Sequence, residues 1–120
     1  MYTSGNVTLM VSDFNRAVSF YTDTLGLTLK ARYGDDWAEV ELPGITIGLH
    51  PTGNRGPSAI HAEGVSVGLG VTDIQQAVAD LQARGVSFAP PGIIDTGAEK
   101  LANFHDPDQT PLYLYEMAHH

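Results

Sequence analysis

Cysteine is absent from these 120 residues, which excludes a disulfide framework, thiolate metal sites and cysteine nucleophiles. Basic residues are scarce, six Lys and Arg against fourteen Asp and Glu, for a formal net charge of −8. No Lys/Arg cluster exists to neutralise a phosphate backbone or an anionic bilayer, so neither nucleic acid nor a membrane is an expected partner. A cationic ligand suits such a surface better, although only weakly. The chain also lacks an apolar run long enough to span a bilayer and a charged-then-apolar leader. A soluble cytoplasmic protein is the expectation. No Gly-rich phosphate loop opens a helix, and no nucleophile sits with a base at a recognisable spacing. What is present is 42% hydrophobic residues, enough for one domain, 1–120, with a real core.

The chain is organised around a repeat. Asn6-Val7-Thr8-Leu9-Met10-Val11-Ser12-Asp13 recurs sixty residues later as Ser66-Val67-Gly68-Leu69-Gly70-Val71-Thr72-Asp73, without a gap. Val7, Leu9, Val11 and Asp13 match Val67, Leu69, Val71 and Asp73, and Ala17-Val18 matches Ala77-Val78. A recurring strand plus capped helix at half the chain length marks two copies of one small unit. Alternation places Val7, Leu9 and Val11 on one strand face. Asp13, or Ser12, is the N-cap of a helix from Phe14. Its apolar stripe is Phe14, Ala17, Val18, Tyr21 and Leu25, and Gly26 stops it.

Three strands follow, Leu27–Tyr33, Trp37–Leu42 and Ile45–His50, separated by turns at Gly34-Asp35-Asp36 and Pro43-Gly44. Residues 52–64 read as a Gly/Pro-rich loop between repeat one (6–51) and repeat two (65–117). The second unit has a strand Val65–Val71, a helix Ile74 to Arg84, a strand Val86–Ala89, and a hairpin of Lys100–His105 and Leu112–Glu116 across Asp106-Pro107-Asp108-Gln109. The fold class is α+β. Two βαβββ repeats are expected to form a curved eight-stranded mixed sheet around a cavity, with helices on the outer face.

The motifs resemble the vicinal oxygen chelate superfamily of glyoxalase I, fosfomycin-resistance proteins, extradiol dioxygenases, methylmalonyl-CoA epimerase and bleomycin-resistance proteins. The resemblance is carried by Val11-Ser12-Asp13, Ala17-Val18-Ser19-Phe20-Tyr21 and Leu25-Gly26-Leu27. In the second half it is carried by Val71-Thr72-Asp73-Ile74, Ala83-Arg84-Gly85-Val86, Phe104-His105-Asp106-Pro107-Asp108 and Pro111-Leu112-Tyr113-Leu114-Tyr115-Glu116. Metal-dependent members hold a divalent ion with four inward side chains of His or carboxylate type. Carried over, those positions fall on Asn6, Gly48, Ser66 and Tyr113. Glycine has no donor, and neutral Ser, Asn and Tyr are weak ligands for zinc, nickel or iron. The expectation is that there is no metal and no other cofactor.

Strand parity then lists what the cavity is made of instead. The ligand-binding candidates are Asn6, Thr8, Trp37, Glu39, Gly48, His50, Ser66, Gly68, Asn103, His105, Tyr113 and Tyr115. Met10, Glu41, Thr46, Gly70, Glu99 and Leu101 share that face. Three strand glycines admit two explanations. Either a ligand approaches the backbone there, or a large neighbour such as Tyr113 or Trp37 fills the space. Aromatic walls with few polar anchors suit a flat organic ligand, and Glu39 and Glu41 suit a cationic group on it.

Among the histidines, His50 and His105 lie near strand ends and His61 in the loop; with Glu99 the first two are the catalytic candidates. Asp106 and Asp108 are turn formers, and Gln109 stands where the family commonly has Gly, which predicts a wider turn. The leading expectation is a metal-free, homodimeric binding protein that sequesters a mid-sized aromatic or cationic small molecule. The alternative is a lyase, isomerase or dioxygenase-like enzyme rebuilt around His50, His105 and Glu99, and a third is a regulatory protein that senses a metabolite.

Overall fold

The structure, a computed structural model, describes residues 1, 3, 5–52 and 66–117. The expected loop, apart from Thr52, lies outside the described residues, as do Val65 at the start of the fifth strand, His61 and the terminal histidines. The chain divides into two compact units, Met1–His61 and Ala62–His120. The first contains β1 (Val7–Val11), α1 (Phe14–Ser19), a π-helical turn (Phe20–Thr24), β2 (Thr28–Tyr33), β3 (Trp37–Leu42) and β4 (Ile45–Pro51). The second contains β5 (Val67–Gly70), α2 (Ile74–Ala83), β6 (Ile94–Asp95), β7 (Glu99–His105) and β8 (Pro111–Met117). Each unit builds a four-stranded mixed sheet, ordered β1-β4-β3-β2 and β5-β8-β7-β6. The pairs β1/β4 and β5/β8 are parallel and the rest antiparallel. The two-repeat α+β reading therefore holds, with the eight strands hydrogen-bonded as two sheets of identical order.

The repeat is physical down to single hydrogen bonds. Asp13 accepts from the Arg16 amide and Asp73 from the Gln76 amide, each at 3.1 Å. Both aspartates have extended backbone, as an N-cap requires. In each unit alternate strand residues bury against the unit's helix: Leu9, Val11, Ala38, Val40, Ile47 and Leu49 in one, Val67, Leu69, Ala102, Phe104, Leu112 and Leu114 in the other. Phe14, Ala17, Val18 and Tyr21, and Ile74, Val78 and Leu81, supply the helix side. Full burial of each large aliphatic side chain contributes about 1.5–3 kcal/mol, so these two layers dominate each unit's stability.

The helices themselves differ from expectation and from each other. The first is α-helical only to Ser19 and then widens, with the Leu25 amide bonded to the Phe20 carbonyl five residues back. The Thr22 hydroxyl donates to the Val18 carbonyl at 2.8 Å, a back-bond that competes with the regular ladder. Leu25 is consequently only half-buried at the end of its predicted stripe. Helix α2 runs ten residues and has a second cap. Glu116 reaches from β8 and accepts from the Ile74 amide at 2.9 Å, placing a carboxylate at the positive helix end. The corresponding position in the first unit is Pro51, which has no side-chain acceptor.

Two further expectations are corrected. Val86–Ala89 is not a strand: its first amide is tied back to the Leu81 carbonyl, and only Ala89 bonds to β7, at Asn103. Pro90 and Pro91 cannot donate to a ladder, so pairing with β7 resumes at Ile94–Asp95. The turn after Asp106 is also tight rather than wide. Asp106 is 3% exposed, and its carboxylate accepts from the Asp108 and Thr110 amides, each at 2.8 Å. Gln109 donates its amide to the Asp106 carbonyl at 3.0 Å. To close this turn Gln109 adopts φ +68°, the left-handed conformation that glycine takes without steric cost.

Substituting Asp106→Ala removes two charge-assisted bonds at a buried site and should lower unfolding free energy in urea by about 2–4 kcal/mol. Gln109→Gly relieves the left-handed side chain, and the same measurement should show a gain of up to about 1 kcal/mol.

Candidate functional site

The site candidates lie on the sheet faces turned away from each unit's own helix. In the first unit Thr8, Gly48 and Glu39 form one cross-strand row through β1, β4 and β3. Trp37 lies diagonally over that row. A methyl group at position 48 would sit 2.7 Å from Trp37 Cζ2 and 3.1 Å from Cζ3, so the far rim of the indole lies against the glycine. Its Nε1–H donates to Glu39 Oε2 at 2.9 Å. The His50 ring meets the indole at 6.3 Å and an interplanar angle of 65°, while His50 Nδ1 lies 2.7 Å from the Pro51 carbonyl. Asn6, just before β1, accepts from the Thr8 hydroxyl at 3.3 Å.

One row further along, Thr28, Glu41 and Thr46 are aligned across β2, β3 and β4. They line an open recess of about 580 Å³ that also reaches Gly5 and the Pro43-Gly44 turn. Thr28 is the residue that sequence reasoning missed. Register slips between Leu29 and Ala31, and a slip of one residue reverses which side chains share a face. Only the pairing itself reveals that Thr28 belongs with Glu41.

The second unit repeats the ring-on-glycine arrangement with the partners exchanged. Gly68, Tyr113 and Asn103 form one row and Gly70, Tyr115 and Leu101 the next. Added methyl groups would lie 2.5 Å from Tyr113 Cζ at position 68 and 2.9 Å from Tyr115 Cζ at position 70. The two tyrosine rings are 6.0 Å apart. Of the two explanations for the strand glycines, crowding by the protein's own aromatic rings is the one the packing supports at all three. Ser66 is exposed just before β5.

The positions at which family members hold a metal do not fit one here. Gly48 offers no donor and is covered by an indole, and Tyr113 turns its ring onto Gly68. Asn6 and Ser66 are exposed, neutral side chains. Among the described residues no three His, Asp, Glu or Cys side chains come together. The rebuilt catalytic trio is not assembled within a unit either. Glu99 and His105 are the first and last residues of β7, about 20 Å apart at a strand's rise, and His50 belongs to the other unit.

Two mixed sheets in the order 1-4-3-2, each with one capped helix, define a glyoxalase-type duplicated βαβββ protein. The family model for the Glyoxalase/Bleomycin resistance protein/Dioxygenase superfamily matches residues 3–112, and the chain belongs to that superfamily. It is 29% identical to the uncharacterized protein YaeR of Escherichia coli K12, over 93% of this chain and 94% of YaeR. Among solved structures it is similar to TnmS3, an antibiotic binding protein from Streptomyces sp. CB03234, with 27% identity, a TM-score of 0.71, and 98% of this chain and 99% of that one covered. A glyoxalase family protein from Enterococcus faecalis shares the fold, with a TM-score of 0.77 at 22% identity over 97% of this chain and 98% of that one.

Gly48→Ala and Gly68→Ala each drive a methyl into a ring and should cost about 1–3 kcal/mol in chemical denaturation, the range for overpacking. Gly5→Ala meets nothing within 4 Å and serves as the control, with a change within about 0.5 kcal/mol.

Proposed function

We propose that this protein is a metal-free small-molecule binding protein of the bleomycin-resistance kind, which sequesters a mid-sized aromatic or cationic compound. The observation that carries this reading is the treatment of the family's metal-ligand positions: Gly48 lies beneath Trp37, and Tyr113 covers Gly68. Aromatic rings cover or occupy two of those positions, and aromatic surface binds organic ligands by burial and stacking. Glu39 and Glu41 on the same strand face supply negative charge for a cationic group. The similarity to an antibiotic binding protein at 27% identity over nearly the whole chain supports the same reading. The Asn6, Thr8, His50, Ser66, Asn103, His105 and Tyr115 side chains are its further ligand contacts, and the proposal takes the protein as a cytoplasmic homodimer.

Elemental analysis of tag-free protein, followed by calorimetric titration with Zn²⁺, Ni²⁺, Mn²⁺ and Fe²⁺, should find no stoichiometric metal. A thermal-shift screen of aromatic and cationic antibiotics should then find compounds that raise the melting temperature by several degrees, as binding at about 100 times Kd implies. One tight metal per chain that is lost on changing His50 or His105 would overturn the reading in favour of an enzyme.

A further inference from the structure

The two carboxylates on the open face of β3 are employed differently. Glu39 accepts the Trp37 ring N–H at 2.9 Å. Glu41, half-buried one row along the strand, has no cationic or hydrogen-bonding partner among the described residues. It stands in the middle of a cross-strand row, with Thr28 on one side and Thr46 on the other. Neither threonine hydroxyl is bonded among the described residues. Directly opposed strand residues have their Cβ atoms about 5 Å apart, so the row presents hydroxyl, carboxylate and hydroxyl in a line about 10 Å long. That line forms a wall of the open recess of about 580 Å³. Among the described residues no aromatic and no basic side chain lines the recess, so it suits neither a flat ring nor an anion.

The fold does not require this row. In the second unit Asn103 faces Tyr113 across β7 and β8 as Glu39 faces Gly48 across β3 and β4. Two residues on, His105 and Pro111 stand where the first unit has Glu41 and Thr46. The same pairing closes there without a carboxylate or a hydroxyl. We infer that the recess binds a hydroxylated primary amine of the amino-sugar kind, with its ammonium on Glu41 and the hydroxyls on either side of it on Thr28 and Thr46. A single ammonium cannot reach both threonines, which lie two strand spacings apart. A compound whose ammonium is flanked by hydroxyls uses all three side chains. The carboxylate supplies the strong, charge-assisted bond, and a partly buried charge without a partner gains most from one. The threonine hydroxyls both donate and accept, as pairing with other hydroxyls requires. The inference rests on the ligand-binding reading and gives the cationic part of the ligand a chemical class and a place apart from the rings.

The test titrates the full chain with protonated glucosamine and follows backbone amides by two-dimensional NMR. Saturable shifts centred on Thr28, Glu41 and Thr46 are expected. Glucose, which lacks the ammonium, should give no saturable response. n-Butylammonium, which lacks the hydroxyls, should bind about tenfold more weakly than glucosamine, the worth of roughly one to two net hydrogen bonds. Glu41→Gln keeps the shape and removes the charge, and should abolish saturation. Thr46→Val should weaken glucosamine about threefold to tenfold and leave n-butylammonium unchanged. Asp80→Asn makes the same charge change on exposed α2 and should alter neither titration; melting curves confirm that each variant is folded. Equal midpoints for glucosamine and n-butylammonium would overturn the inference, as would wild-type binding by Glu41→Gln or an equal loss in Asp80→Asn. Shifts of these amides on dilution of the free protein would hand the recess to a lysine of another copy of the chain and overturn it too. Absence of any saturable shift would also overturn it, and the antibiotic screen then judges the broader ligand-binding reading separately.

Discussion

Each four-stranded sheet has one helix of its own to cover it, and a sheet has two faces. That constraint organises everything else. The helix-side face is closed by aliphatic side chains in strict alternation, from Leu9 and Val11 to Leu112 and Leu114. The opposite face gets no helix from its own unit, and it is finished with aromatic rings laid on glycines of the adjacent strand. Such pairing compensates the two weaknesses of a strand glycine, backbone freedom and missing contact area. The same device sets the chemistry of that face: an indole lies against Gly48 and phenol rings lie against Gly68 and Gly70.

Much of this was legible in the amino-acid order because the signals were redundant. The sixty-residue repeat, the two aspartate caps and the alternation of β1 and β5 all pointed to one duplicated unit, and each is visible in the hydrogen bonding. The faces of β3, β4, β7 and β8 followed from parity alone, so Trp37, Glu39, Gly48 and Tyr113 fell where alternation put them. The misses share a cause, which is that each depends on a partner distant in sequence. Thr28 joins the Glu41 row only because β2 slips against β3. The Val86–Ala89 segment has strand-like residues but is tethered at its start to Leu81. The π-helical turn answers to a side-chain bond from Thr22 to Val18, and Glu116 caps α2 across 42 residues of chain.

Gln109 illustrates the opposite lesson. A non-glycine residue at a position that the family commonly fills with glycine suggested a wider turn, but the turn kept its geometry and the residue adopted the uncommon conformation. The Asp106 carboxylate, with two amides bonded to it inside the protein, outweighs the preference of one backbone dihedral. Local propensity yields when a buried charge has been given its partners.

The interlock of Trp37 with Gly48 means that neither position can vary alone. A carboxylate cannot be introduced at position 48 while the indole occupies the space above it, and removing the indole first exposes a bare glycine and strands Glu39 without its donor. Either change made alone therefore disturbs the packing of this face. The two positions are coupled: any side chain at 48 requires the ring at 37 to give way, and a smaller residue at 37 leaves the glycine uncovered.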